Sequence, residues 1–174
     1  MPNHIIESLK TVKKILGNKF DKNSRIAIIG IGNELRHDDI AGLEVVRNLI
    51  KEFQHRKPFL NIHLLEGEDA PLSKVHEIID WNPTDLIMLD AGELNSEPGT
   101  IELMKKEEIF RFSTSSHSGS KSILLDFLTV NIPNLEIIII AIQVEKIIFE
   151  RGISEKVKQA VEELTKMLIE LLFE

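Results

Sequence analysis

Three residues of this 174-residue chain have side chains that bind divalent metals or move protons, and they stand in similar contexts: Asp39, Asp90 and His117. Asp39 closes the polar run Asn33-Glu34-Leu35-Arg36-His37-Asp38-Asp39, which follows the apolar stretch Ile26–Ile31 and the glycines Gly30 and Gly32. Asp90 ends the apolar stretch Asp85–Leu89, and His117 lies within Ser115-Ser116-His117-Ser118-Gly119-Ser120. Two carboxylates and an imidazole offer hard oxygen and borderline nitrogen donors, a set that fits a divalent ion with open coordination positions. Such an ion polarises a carbonyl or lowers the pKa of a bound water. Without a metal, Asp39 and Asp90 form an acid–base pair that follows aspartic-protease logic but not its sequence motif. Each residue also has a plainer role. An Asp at a helix start stabilises it by ~1 kcal/mol, an Asp after a strand opens a turn, and a histidine among serines can be a solvated loop residue. Order in sequence does not make the three converge; the fold must do that.

Other patterns point less clearly to chemistry. Gly30-Ile31-Gly32 supplies two glycines of a dinucleotide-binding turn, but Leu35 stands where the third belongs. Asp38 and Asp39 would then face a pyrophosphate, and negative charge repels it. Glu66, the candidate ribose-binding acid, comes later than the roughly 20 residues usual for that role. Ser118 to Lys121 matches S-x-x-K without the companion motifs of that enzyme class. The chain has no cysteine, which excludes disulfides, thiolate metal sites and a cysteine nucleophile. A net charge of -7 disfavours nucleic acid as a partner. No signal-peptide pattern precedes residue 25, and the longest apolar run, Ile137–Ile142, is too short to span a bilayer. A cytoplasmic monomer is the expectation.

The elements that must position these residues read as alternating strands and helices. Ile26–Ile31 has the continuous apolar pattern of a strand buried on both faces. Residues 40, 43, 46, 49 and 50 then recur at helical spacing, and Asp38 is assigned to the start of that helix. Further strands are expected at Leu60–Leu65, Asp85–Leu89, Thr100–Met104 and Leu135–Ile142. Further helices are expected at Ala70–Ile79, Ser122–Val130 and Ser154–Phe173. Lys105–Ser120 reads as a long loop. Residues 1–24 form a separate N-terminal helical extension, with Ile5, Leu9, Val12 and Leu16 at helical spacing and Gly17 as its cap. Residues 25–174 form a single α/β domain. Alternation of this kind implies a three-layer α/β/α domain, phosphorylase- or hydrolase-like, with a mostly parallel twisted sheet. The strand at 100–104 is expected to lie antiparallel at an edge. Asp39 and Asp90 then share one edge of the sheet, where α/β sites are built.

Gly30-Ile31-Gly32-Asn33-Glu34-Leu35-Arg36-His37-Asp38-Asp39-Ile40-Ala41-Gly42 resembles the signature of the endopeptidases that mature nickel–iron hydrogenases. Asp90 within Leu86–Ala91, His117 ahead of Gly119 and a helix, and Ala141-Ile142-Gln143 before the terminal helix are also similar to that family. The likeness spans about residues 25–170. Val144 departs from it, standing near a position where the family often has proline. The resemblance implies removal of a C-terminal extension from a hydrogenase large-subunit precursor. It implies that Asp39, Asp90 and His117 recognise nickel already inserted in the substrate, so the metal is carried by the precursor and surrogate divalent cations can bind in its place. Gly30, Gly32, Asn33 and Arg36 are the expected substrate cleft, with Arg36 alternatively paired to Asp38. Two other functions fit the same residues: a nickel-recognising docking module without protease activity, and a nucleoside-phosphorylase-like enzyme on a small substrate.

Overall fold

Five stretches rich in branched aliphatic residues pair into one sheet in the computed structural model, which describes residues 2–109 and 118–173. They are β1 (Arg25–Ile31), β2 (Asn61–Glu68), β3 (Asp85–Gly92), β4 (Ile101–Met104) and β5 (Glu136–Gln143), in the order β2-β1-β3-β5-β4. All neighbours are parallel except β4, which runs antiparallel to β5 at the edge. The helices are α1 (Asn3–Leu16), α2 (Ala41–Phe53), α3 (Val75–Trp81), α4 (Ser118–Asn131) and α5 (Glu155–Phe173).

The period-two alternation of the strands divides the core into two layers. Ile26, Ile28, Ile87, Leu89, Ile140 and Ile142 point to one face and pack with α1, α2 and α5. Ala27, Ile29, Leu86, Met88 and Ile139 point to the other and pack with α3 and α4. The three-layer α/β/α arrangement expected from the alternation is the one the chain adopts. Because both faces are covered, the central strands read as unbroken apolar runs.

Several boundaries differ from the sequence expectation, each for a local reason. The segment 70–79 splits into a 3-10 turn at Pro71–Lys74 and then α3, which ends where Asn82 takes a left-handed conformation (φ 52°). Within the expected loop 105–120, Lys106–Glu108 form a 3-10 turn. The helix expected from Ser122 begins at Ser118, four residues earlier. Residues 110–117, and with them His117, lie outside the described residues.

The N-terminal helix shares the main core. Ile5, Val12 and Leu16 are buried in the same cluster as β1, α2 and α5. It also holds the exposed edge of the sheet. Ser8 Oγ accepts a hydrogen bond from the Ile101 amide of β4 (3.2 Å), and His4 Nε2 donates to the Pro98 carbonyl (3.1 Å). A blocked edge amide is one fewer group available for pairing with another chain.

Candidate active site

Strands β1 and β3 are adjacent and parallel, with Gly30 opposite Leu89. From β1 the chain crosses to β2 on one side, and β3 returns on the other side. The gap between the carboxyl ends of β1 and β3 is therefore the topological switch point, where open α/β sheets place their sites. Asp39 follows β1, in a 3-10 turn at His37–Ile40 that feeds directly into α2. Asp90 lies near the carboxyl end of β3, two residues before Gly92.

Three glycines let this turn lie flat against the strand ends. A Cβ at residue 32 would stand 2.3 Å from the Asp39 carbonyl oxygen, and one at residue 42 would stand 2.3 Å from the Leu89 carbonyl oxygen. At residue 30 it would meet the Gly42 carbonyl oxygen at 2.6 Å. The space left by the missing side chains is filled by the protein's own backbone. Gly30 and Gly32 thereby set the height of Asp39 above the sheet.

Asp38 does not serve as a helix cap. No side chain caps either the 3-10 turn or α2. Instead, the fully buried Asp38 carboxylate accepts backbone N–H bonds from Glu145 (2.9 Å), Lys146 (3.0 Å) and Ser154 (2.6 Å). His37 Nδ1 lies 3.0 Å from its Oδ1, so its ring partner is His37 rather than Arg36. Burial alone would raise this carboxyl's pKa. The amides of Ser154, Lys146 and Glu145 outweigh burial and hold it below the ordinary value of 3.8. His37 takes a positive φ of 52°, and its own amide donates to the Glu150 carbonyl (2.8 Å). Its ring fits against Gly152, where a Cβ would come within 3.0 Å of Nε2. The pair His37–Asp38 fastens the 144–154 loop to the turn that carries Asp39.

Asp39 is 5 % exposed and Asp90 is 1 % exposed, so both carboxylates are drawn into the protein. Asp90 Oδ1 accepts the Ala91 amide at 2.9 Å, and Oδ2 accepts from the ammonium of Lys121 in the first turn of α4. Lys121 is itself 2 % exposed. In the sequence Lys121 belongs only to the S-x-x-K match, which lacks companion motifs. The available signal was its place in the apolar stripe 121, 124, 125 and 128, where a lone lysine must find a buried partner. Gln143 was likewise met only as a motif residue. It is 3 % exposed, and its Oε1 accepts the amides of Leu94 (2.5 Å) and Ser96 (3.3 Å), which fastens the loop after β3.

The remaining sequence-derived positions surround the turn. Asn33 Oδ1 accepts the Leu35 amide (2.8 Å) and Asn33 Nδ2 donates to Asp69 (3.2 Å). Gly32 and Asn33, with Glu34, Leu43, Glu68 and Asp69, line a cleft of about 290 Å³. Arg36 is half-buried, and its carbonyl accepts the Asp39 amide (3.2 Å). Glu66 is bonded by Arg47 Nε (2.8 Å) rather than presented to a ligand. Among the described residues, no group of three or more His, Asp and Glu side chains could hold a metal ion. The third member of the expected set, His117, lies outside those residues.

Comparison with known proteins places the chain in a family. The sequence profile of the HycI hydrogenase maturation proteases matches residues 43–171. The chain belongs to the hydrogenase maturation protease family. A Methanocaldococcus jannaschii protein carrying the hydrogenase maturation protease name is 34% identical over 166 residues, covering 94% of this chain and 97% of that one. The Escherichia coli hydrogenase 3 maturation protease is 28% identical over 142 residues, covering 81% of this chain and 86% of its own. Among solved structures, the nickel–iron hydrogenase maturation protease HycI of Thermococcus kodakarensis matches with a TM-score of 0.77 and 25% identity, covering 91% of this chain and 98% of its own. This protease is thus a peptide-bond hydrolase built on the α/β/α sandwich. Among its described residues, no helix is long and apolar enough to cross a membrane.

Proposed function

We propose that this maturation protease removes the C-terminal extension of a nickel–iron hydrogenase large-subunit precursor after nickel insertion, and that Asp39, Asp90 and His117 recognise the nickel that the precursor carries. Two buried carboxylates at the β1/β3 switch point, in a chain of this family, support the reading. The Lys121–Asp90 pair brings the first turn of α4 to Asp90, and His117 immediately precedes that turn in sequence.

Carboxylate oxygens and an imidazole nitrogen are acceptable donors for Ni²⁺ and for surrogates such as Zn²⁺. The metal is part of the substrate, and the protease contributes donors rather than a resident ion. Binding it would fix the precursor's tail at the turn that carries Asp39. Well-oriented intramolecular reactions gain up to roughly 11 kcal/mol over bimolecular ones, so positioning of the scissile bond is the main contribution assigned to the metal contact. An ionised carboxylate of the pair is then placed to accept the proton of an attacking water. Of the expected cleft residues Gly30, Gly32, Asn33 and Arg36, Gly32 and Asn33 line the cleft of about 290 Å³, which supports its use by the extension.

Replacing Asp39 with Asn tests the assignment, because Asn keeps the shape but loses the charge. Cleavage of nickel-loaded precursor is expected to fall at least ~100-fold while the melting temperature stays within a few degrees. Unchanged processing by that variant would remove Asp39 from the site.

A further inference from the structure

The two edges of the sheet differ. On β4 the Ile101 amide is covered by Ser8 of α1. At the other edge β2 pairs with β1 alone, and among the described residues nothing bonds the outward backbone groups of residues 61–65. That stretch reads Asn-Ile-His-Leu-Leu, with no proline, lysine or glycine to discourage pairing. Its register with β1 is regular and shifts only beyond Glu66. Ile62, His63 and Leu64 are half-buried, whereas β1 is buried from Ile26 onward. A regular open edge invites pairing with another chain, and proteins usually block or bend one. This one stays open beside the site. Gly32, at the start of the turn that leads to Asp39, donates its amide to the Glu68 carbonyl at the end of β2 (3.0 Å). Glu68 and Asp69 then line the 290 Å³ cleft together with Gly32 and Asn33.

We propose that the edge of β2 is the docking surface for the precursor's C-terminal extension, which adds to the five-stranded sheet as a further strand antiparallel to β2. The inference rests on the reading of this chain as the protease that removes that extension. The direction follows from the order of the substrate chain. On that reading the scissile bond lies at the turn carrying Asp39, and the extension follows it. It therefore leaves the cleft at the carboxyl end of β2 and runs toward the amino end. Antiparallel pairing is also slightly the more stable of the two kinds. In strand addition the backbone supplies affinity, and surfaces beside the edge read alternate side chains. Ile62 and Leu64, half-buried against the core layer of α1, α2 and α5, offer such a surface to apolar residues. At the cleft end the exposed Glu68 and Asp69 favour a basic residue. A second copy of this chain paired on the same edge would close it without filling the cleft.

The test is amide hydrogen exchange of the full-length protein with and without a synthetic peptide of the extension sequence. The peptide is expected to slow exchange of the outward-facing amides within residues 61–65 at least ~10-fold and to leave the Ile101 amide unchanged. Two N-methylated forms of the peptide then separate strand addition from other contact, because only alternate residues turn their N–H toward the partner strand. Methylating one alternate set is expected to weaken binding at least ~10-fold, and methylating the other to leave it within about threefold. Equal losses for the two sets, or no protection of β2 at about 1 mM peptide, overturn the docking surface. Protection of residues 61–65 without peptide, in a protein that scatters light as a dimer, assigns the edge to a second copy and also overturns it. Intact-mass analysis of nickel-loaded precursor is run in parallel. Cleavage without protection of β2 by the peptide removes the docking surface and leaves the maturation reading standing. Protection without cleavage removes the maturation reading and leaves β2 as the surface that holds the extension.

Discussion

Asp38 and Asp39 are chain neighbours, and the structure assigns the first of them to fastening a loop. Asp38 turns inward to three loop amides and the His37 ring; Asp39, the next residue of the same 3-10 turn, is 5 % exposed. Asp38→Asn replaces a charge-assisted acceptor with one that also presents an N–H to loop amides. A loss of about 3 kcal/mol is expected in chemical denaturation at pH 7. The pH dependence has a definite sign. The folded carboxyl's pKa lies below its ordinary 3.8, so its stabilisation is complete above that value and is lost as pH falls through the lower folded one. The stability gap between native and Asp38→Asn should therefore be constant from pH 7 to about 5 and narrow below about pH 4. The Asp38 role was not legible in the sequence, because its partners lie 107, 108 and 116 residues away. Next to a predicted helix, an Asp has a sufficient local explanation; Asp38 does stand in the first turn, but its carboxylate serves the loop and not a cap. Gly42 shows the opposite case, where the residue type was legible and only its reason was hidden. Gly42→Ala would push a methyl into the Leu89 carbonyl, with an expected cost of about 3 kcal/mol and a matching loss of processing as Asp39 lifts from the strand ends.

At the scale of elements, the strands were legible because burial on both faces leaves no alternation to misread. Ile26–Ile31 and Ile137–Ile142 are continuous apolar runs in the chain and lie in central strands of the sheet. The start of α4 was not legible, since its first turn is Ser118-Gly119-Ser120-Lys121, a composition that local propensity assigns to a loop. The Lys121–Asp90 contact that anchors this turn is a tertiary one. The period of helix α1 is plain in the sequence, but its attachment is not: Ile5, Val12 and Leu16 belong to the shared core. Each buried aliphatic side chain contributes roughly 1.5–3 kcal/mol. Removal of residues 2–17 is expected to lower stability by about 5 kcal/mol and to expose the edge of β4. Circular dichroism melts and light scattering of the truncated protein check both effects; a melt superimposable on the native one would return α1 to the status of an appendage.

At the scale of the whole molecule, the strand order explains why residues distant in sequence meet. Because β1 and β3 are neighbours although β2 lies between them in sequence, the loops that follow β1 and β3 open on the same crevice. The carboxylates were found by residue type, and their shared edge followed from the alternation of strands and helices. The cation between β3 and α4 needed the structure. The central claim is that nickel in the precursor licenses cleavage, and intact-mass analysis of precursor incubated with this protease reads it most directly. Nickel-loaded precursor is expected to lose a single C-terminal peptide, while the same precursor prepared without nickel keeps its full mass. Equal cleavage of the two forms, or an intact nickel-loaded precursor after prolonged incubation, would contradict the claim.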